Sequence, residues 1–225
     1  MKRLVLFGLV LFTSCTLPWY YVNDTSAYVE SYLEYSEKLS LDLMGDVNTG
    51  DNCLIADFNY THVSYAFFSE GDNLEKYNEL CLKHGDVSYI RRNKRVPLEA
   101  GFISSITPDL SAISITADKD FGPGYPAGKE LNDLFEVRFI SLNEFVQSGY
   151  PSDNSPFAGP GLWKPLSIVT PEDLVLITPG SMWFRLTKVP NADLGPITLT
   201  VSCMDEEGRV ISGTIACRVV GSRLQ

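Results

Sequence analysis

Residue types that carry enzyme chemistry are sparse in this chain. It has two histidines, His62 and His84, and neither lies in an HExxH metal motif. No GxSxG nucleophile motif and no phosphate-binding P-loop occurs in the sequence. Carboxylates are abundant, and two of them would suffice for glycoside hydrolysis, but no pair stands out by its spacing. We therefore predict a non-enzymatic protein without a cofactor, and a hydrolase is the less favoured alternative.

One acidic segment has part of the spacing of a calcium loop. In the EF-hand loop, oxygen ligands fall at positions 1, 3, 5 and 12, and a glycine occupies position 6. Counted from residue 46, oxygen-bearing side chains fall at positions 1, 3 and 12, but Gly50 and Asp51 stand in reversed order and no flanking helices are predicted. A solvated turn is the favoured interpretation. The weak metal candidates of this segment are Asp46, Asn48, Asp51 and Asp57.

A second acidic segment lies beside the Pro- and Gly-rich stretch GPGYPAG. Asp118 and Asp120 precede this stretch by a few residues. Two carboxylates beside a glycine-rich loop can bind a hard cation, but they can equally accept backbone hydrogen bonds in turns. The structural role is the favoured one, and Asp118 and Asp120 are kept as weak metal candidates.

Basic residues concentrate at one place in an otherwise acidic chain. The cluster consists of Arg91, Arg92, Lys94 and Arg95, and Pro97 restricts it to a loop or an edge strand. A solvated loop is the favoured interpretation. Contact with an anionic glycan or lipid head group is the alternative.

The amino end has the features of an export signal. Two basic residues precede nine uncharged ones, Leu4–Phe12, a run that is too short to span a bilayer but typical of the apolar region of a signal peptide. The run ends in FTSC, and two small residues before Cys15 resemble the lipobox of bacterial lipoproteins, although Phe12 stands where leucine is usual. A plain secretory signal with a chance cysteine, or a buried apolar helix, would be the alternatives.

The lipobox resemblance implies a domain order and a location. Residues 1–14 would be a signal peptide, and Cys15 would become the acylated first residue, carrying chains such as palmitate. Residues 15–26 would be a tether, and 27–225 a single β-sandwich domain. Thr16 follows the cysteine in place of the aspartate that retains some lipoproteins in the inner membrane, which favours the outer membrane, on its periplasmic or cell-surface side.

Composition limits the partners. Loss of Lys2 and Arg3 with the signal would change the formal net charge from −10 to −12. An acidic protein repels nucleic acid, so a nucleic-acid partner is not expected. A content of 44% hydrophobic residues is ample for a folded core and argues against disorder.

Four cysteines remain if Cys15 is acylated. An even number is compatible with disulfides in an oxidising compartment, and buried free thiols are the alternative. Cys203 and Cys217 bracket a predicted hairpin, but Cys203 should face a residue near position 210, so a direct bridge between them is not expected. The disulfide pairing among Cys53, Cys81, Cys203 and Cys217 is left open.

Hydrophobic alternation predicts many short strands. They fall at 39–43, 54–68, 110–116 and 134–140, at two places around Pro179-Gly180, and in a closing hairpin that turns at 206–208. Ser141 and Glu144 have capping-box spacing and predict one short helix, whereas 73–85 permits a helix only weakly. We therefore predict an all-β (mainly β) fold, an Ig-like or Greek-key β-sandwich with one or two short helices.

The second half of the chain has a distinctive pattern of residues around the Pro- and Gly-rich stretch. It comprises Asp118, Asp120, Pro126, Ala127, Gly128, Leu131, Asn132, Asp133 and Phe135. With these residues and the signal, the chain resembles an uncharacterised family of lipoproteins of about 200 residues from Bacteroidota. The resemblance implies a sandwich architecture and brings no activity, cofactor or ligand.

These features predict a membrane-anchored lipoprotein that serves as a non-enzymatic binding or accessory module of the cell envelope. Its partners would be the membrane, through the lipid anchor, and an unknown protein or glycan ligand. The alternatives are a structural subunit of a surface fibre, whose removable first strand would end at Lys38, and an envelope hydrolase.

Overall fold

The structure is a computed structural model that describes residues 20–22, 26–48, 53–89, 95–97, 103–151, 156–157, 162–188 and 194–220. The chain forms two compact units. The smaller combines residues 1–24 with 91–101, and the larger combines 25–90 with 102–225. The predicted signal peptide and Cys15 lie outside the described residues.

Strands outnumber helices in the described ranges, which confirms the mainly β class. The elements in chain order are β1 Tyr20–Val22, β2 Ser31–Leu43, β3 Cys53–Ala66, α1 Asp72–Lys83, β4 Arg95–Pro97, β5 Ser104–Thr107, β6 Leu110–Ala117, β7 Phe135–Arg138, α2 Asn143–Gln147, β8 Lys164–Pro165, β9 Met182–Leu186, β10 Gly195–Asp205 and β11 Val210–Val219. Short 3₁₀ segments occupy Asn132–Leu134, Leu166–Ile168 and Pro171–Leu174.

The described residues of the smaller unit form an antiparallel strand pair. β1, which falls within the predicted tether, pairs with β4, and Tyr21 lies opposite Val96. Pro97 sits in this two-stranded pair at a sheet edge, where the sequence had restricted it.

The larger unit is built on a curled mixed sheet of nine strands. Its order is β6-β10-β11-β2-β3-β9-β7-β8, and β5 pairs with β2 away from this path. All neighbours are antiparallel except β11–β2 and β2–β5, which are parallel. The central strand β2 therefore joins the two halves of the sheet.

The main hydrophobic core lies between these two halves. Inward residues of β10 alternate at Ile197, Leu199 and Val201, as the sequence pattern predicted, and they pack in one cluster with residues of β3 and β9 such as Leu54 and Phe184. Strands from both halves contribute side chains to this one cluster. The sheet therefore curls around its core and buries the apolar faces of both halves against each other.

Gly213 is required where β11 approaches β2. A Cβ atom at this position would lie 2.6 Å from the carbonyl oxygen of Leu39 and 2.9 Å from Cγ of Leu41. A side chain here would push the two halves of the sheet apart, since backbone cannot yield as a flexible side chain can.

A second hydrophobic cluster packs the helices against the sheet. It joins Tyr77, Leu80 and Cys81 of α1 to Phe145 of α2 and to Tyr32 of β2. Register shifts in β2 between Leu33 and Leu39 let one strand serve both clusters. This cluster lies beneath the loops that carry most of the buried acidic groups.

Two local predictions were wrong. The predicted short helix is present as α2, but Ser141 does not form a capping box. Its hydroxyl accepts from the Asn143 N–H at 3.2 Å and donates to the Val175 carbonyl at 2.6 Å. Residues 174–178 form no named strand. They follow a 3₁₀ turn that has its own capping box, in which the Thr170 N–H donates to the Asp173 carboxylate at 2.8 Å.

Candidate functional site

Tryptophan and arginine side chains share the outer face of β7, β8 and β9. In β7 the core-facing residues alternate with Glu136 and Arg138, and in β9 they alternate with Trp183 and Arg185. Arg138 lies opposite Trp183 and Glu136 lies opposite Arg185, so all four point to one side of the sheet. With Trp163, which immediately precedes β8, these residues form what we call the Trp–Arg surface.

The guanidinium groups of this surface lie over the indole rings, within cation–π distance. Arg138 Cζ lies 5.1 Å from the ring centroids of both Trp163 and Trp183. Arg185 Cζ lies 4.5 Å from the Trp163 centroid. All are half-buried, and cation–π contacts strengthen when the groups are partly removed from water.

The two arginines differ in their partners. Arg185 is paired, because its Nε donates to Oε2 of Glu136 at 2.7 Å and its Nη2 lies 2.6 Å from the same oxygen. Arg138 has neither a carboxylate nor a hydrogen-bond acceptor among the described residues. Since a guanidinium has five N–H donors, Arg138 presents an oriented cation with open donors, the arrangement that recognises an oxyanion.

A groove of about 540 Å³ adjoins the same strands. It is lined by apolar side chains of Phe139, Ile140 and Leu162 and by charged groups that include Lys164. The ammonium of Lys164 is neutralised by Asp173. Because Val137 and Lys164 face the groove while Arg138 and Trp163 face outward, β7 and β8 connect the two features.

Four chain segments meet at the buried Asp109. Its Oδ2 accepts a hydrogen bond from Lys83 Nζ at 2.8 Å and lies 3.5 Å from His84 Nε2, and its Oδ1 accepts from the Leu176 N–H at 3.0 Å. Lys83 also donates to Glu206 in the turn of the closing hairpin, at 2.5 Å. The carboxylate thus ties the end of α1 to the loops before β6, after β10 and before β9.

The charge states of this network follow from burial and pairing. Burial opposes the charged form of Lys83, but hydrogen bonds to Asp109 and Glu206 outweigh it and raise its pKa. Burial lowers the pKa of His84, and the neighbouring Asp109 only partly offsets that effect. Lys83 is therefore a cation and His84 is neutral at pH 7.

Asp86 is a second buried carboxylate with a complete set of donors. It accepts from the N–H groups of Tyr28 and Val29 at 2.7 and 2.8 Å and from the Tyr150 hydroxyl at 2.9 Å. Burial, and then the bond to Asp86, raises the pKa of Tyr150 to about 12. These contacts fasten the segment before β2 to the loop after α1, which is a structural role.

The four described cysteines are buried, and no disulfide joins any two of them. Burial raises the pKa of Cys81 and of Cys217 to about 11 and that of Cys203 to about 12. Almost no thiolate is present at neutral pH, so these thiols behave as small apolar side chains rather than as nucleophiles. Cys203 lies opposite Ile211, one residue from the expected register.

The first acidic segment does not have the geometry of a calcium loop. Asp51 lies outside the described residues, Asp46 and Asn48 follow β2, and Asp57 lies inside β3 opposite Ser40. The last β2–β3 pair joins Leu43 to Leu54, so Asp57 is about 10 Å further along the strand. A strand thus occupies the second half of the candidate loop.

The second acidic segment is used in turns. Asp118 accepts from the Thr198 N–H at 2.7 Å, which lowers the pKa of its carboxyl, and Asp120 accepts from the Ala127 N–H at 2.9 Å. Asn132, from the stretch that carries the family resemblance, pairs its amide with Ile113 and Ile115 along the open edge of β6. Within the described ranges, no group of three or more His, Cys, Asp or Glu side chains is placed to hold a metal ion.

The predicted basic cluster falls largely outside the described residues. Arg91, Arg92 and Lys94 are among those not described, and Arg95 lies in β4 of the smaller unit. The Trp–Arg surface was missed by sequence reasoning. The available signal was the pattern of Trp and Arg at the polar positions of the strands EVR (136–138) and WFR (183–185).

No protein-family model, no curated protein and no solved structure matches this chain. None of the helices in the described part of the chain is both long and apolar enough to cross a bilayer.

Proposed function

We propose that this protein is a membrane-anchored lipoprotein of the bacterial cell envelope whose larger unit is a non-enzymatic binding module. The observation that carries the binding role is Arg138, a half-buried cation that lies over two indole rings and has open hydrogen-bond donors. Holding an unpaired guanidinium in this position costs desolvation energy that a bound anion would recover.

The side chains best suited to catalysis are His84 and Cys81. Both are buried and have structural roles, which supports a non-enzymatic function. His84 is buried against Asp109 and stacks on Tyr32, with ring centroids 5.8 Å apart. The thiol of Cys81 is held protonated by burial. An envelope hydrolase is therefore the weaker alternative.

A surface-fibre subunit is also less well supported. That alternative needs a first strand that can be removed at Lys38, but Lys38 lies within β2, where the neighbouring Ser212 of β11 pairs with it on one side. β3 pairs along the other side of β2. Removing residues up to Lys38 would take away most of β2, the strand that joins the two halves of the sheet. The core would then be exposed on both sides of β2, rather than along a single groove.

The anchoring half of the proposal is tested at Cys15. We expect the wild-type chain to partition into detergent and to label with a fatty-acid analogue. Cys15→Ser should leave the precursor uncut and unlabelled, because removal of a lipoprotein signal waits on the acylated cysteine. Thr16→Ser is the matched control and should be labelled normally. Normal processing of Cys15→Ser, or wild-type protein free in the medium, would exclude lipid anchoring at this residue.

A further inference from the structure

We propose that the Trp–Arg surface binds a carboxylate-bearing saccharide, with Arg138 holding the carboxylate and the flanking indole rings contacting the sugar. This inference rests on the proposed binding role and names its ligand class. It follows from the geometry of the cation, from the rings beside it and from the charge of the whole chain.

The geometry of Arg138 fits a planar oxyanion. Contacts with Trp163 and Trp183 restrain the guanidinium, so less side-chain entropy is lost when a ligand binds. A carboxylate has two oxygens in one plane, which matches the two parallel N–H groups of the guanidinium fork. Glu136 does not compete for this position, because Arg185 holds it.

The aromatic rings favour a sugar as the carrier of that carboxylate. Trp163 and Trp183 are half-buried, so part of each ring faces solvent beside the open donors. A pyranose ring has an apolar C–H face that can contact an indole ring, and its polar edges can stay in water. It therefore suits a half-exposed aromatic surface. Ile55 of β3 lies opposite Trp183 and adds an uncharged border on that side.

Charge and strand geometry argue against the competing ligands. The chain has a formal net charge of −10, so a long polyanion or a strongly acidic peptide would be repelled from most of its surface. An extended peptide would also need a sheet edge, and β8 offers only two residues at that edge. A saccharide with isolated carboxylates has less negative charge to be repelled and needs no sheet edge. One of its carboxylates can pair with Arg138.

The test uses the full chain purified in detergent and isothermal titration calorimetry. The probes are a glucuronate-containing oligosaccharide, its neutral glucose counterpart, a sulfated counterpart and an acidic peptide. We expect binding of the glucuronate oligosaccharide, with at least tenfold weaker binding of the neutral one. Arg138→Gln should weaken glucuronate binding at least tenfold, since the charge-assisted bonds are lost. Arg138→Lys should fall between, because it keeps the charge and loses the fork.

Matched variants assign the effect to this surface. Lys164→Gln is the matched control, because its ammonium lies in the adjoining groove and is already paired with Asp173, and it should leave binding unchanged. Trp183→Leu should weaken both the glucuronate and the neutral saccharide. Unchanged melting temperatures of the Arg138 variants would exclude misfolding as the cause.

Other outcomes overturn the inference in distinguishable ways. Equal binding of neutral and glucuronate saccharides, or tighter binding of the sulfated one, would remove the carboxylate assignment. Arg138-dependent binding of the peptide alone would leave a binding module with the wrong ligand class. Binding of none of the probes would refute the saccharide inference, and only an additional failure of Cys15 labelling would remove the anchored-lipoprotein proposal as well.

Discussion

The buried network around Asp109 and the Trp–Arg surface use charged side chains in opposite ways. In the interior, the Asp109 carboxylate has three polar partners, and the ammonium of Lys83 bridges it to Glu206. On the surface, Arg185 is paired with Glu136, whereas the contacts of the Arg138 guanidinium within the described ranges are with two indole rings. A fully partnered charge holds chain segments together, and an oriented charge with open donors is available to a ligand. We therefore assign a structural role to the Asp109 network and a binding role to Arg138.

This contrast has an energetic basis. A buried carboxylate must recover the cost of leaving water through its partners, so removing one partner leaves an uncompensated charge. A half-exposed arginine keeps part of its hydration, and its contacts contribute little to stability. Variants in the two regions should therefore differ in kind as well as in size.

The largest effect is expected at Asp109. Asp109→Asn keeps the size of the side chain but leaves Lys83 without its buried anion, and we expect the free energy of unfolding to fall by about 3–5 kcal/mol. Urea denaturation with unchanged slope would measure this loss. Glu206→Gln is the control, because it removes the half-exposed partner of the same lysine, and it should cost about 1 kcal/mol or less. Equal losses in both variants would contradict the structural role of burial here.

A smaller effect is expected from the pH dependence of the same network. The pKa of His84 is below its unfolded value of about 6.5, so the unfolded chain binds more protons as the pH falls through that value. Stability should therefore be constant above about pH 7 and decline below about pH 6.5. The ring is faced by Asp109, Lys83, Glu206 and Asp86, and Asp109 opposes the decline without cancelling it.

Melting temperatures between pH 7.5 and 5.5 check this prediction. His84→Gln is destabilising in itself, but its melting temperature should decline less steeply below pH 6.5 than that of the wild type. His62→Gln changes the exposed histidine and should keep the wild-type profile. A His84 variant that follows the wild-type profile would show that the histidine is not the titrating group.

The sequence predicts local features well where one pattern decides them. The closing hairpin is confirmed because β10 alternates strictly and the turn contains Gly208 at φ 82°, a conformation that glycine adopts without strain. Strand β3 is confirmed because its aromatic and β-branched residues favour a strand. The short helix α2 is confirmed, but its capping box is wrong, because Ser141 pairs with Ile177 and its hydroxyl bonds to Asn143 and Val175.

The site could not be predicted because it depends on long-range register. Arg138 meets Trp183 only through the β7–β9 pairing, and Trp163 joins them through the β7–β8 pairing. Asp109 likewise gathers partners from sequence positions 83, 176 and 206. Composition and residue spacing do not specify which strands and loops pair. Sequence analysis therefore identified neither Arg138 nor Asp109 as a key residue. Lipid attachment at Cys15 stays a prediction from the sequence alone.

The smallest effect on stability is expected at Arg138. Arg138→Gln removes two cation–π contacts at a half-exposed position, each contributing about 0.5–1 kcal/mol, and it also relieves the desolvation of an unpaired cation. We therefore expect the free energy of unfolding to change by about 1 kcal/mol or less, measured by urea denaturation beside Asp109→Asn. Arg185→Gln, which leaves Glu136 without its partner, should cost at least as much. A loss of about 3 kcal/mol for Arg138→Gln would make this arginine a structural clamp like Asp109, and the distinction between the two regions would then fail, because a residue that holds the fold together gives no reason to expect a ligand.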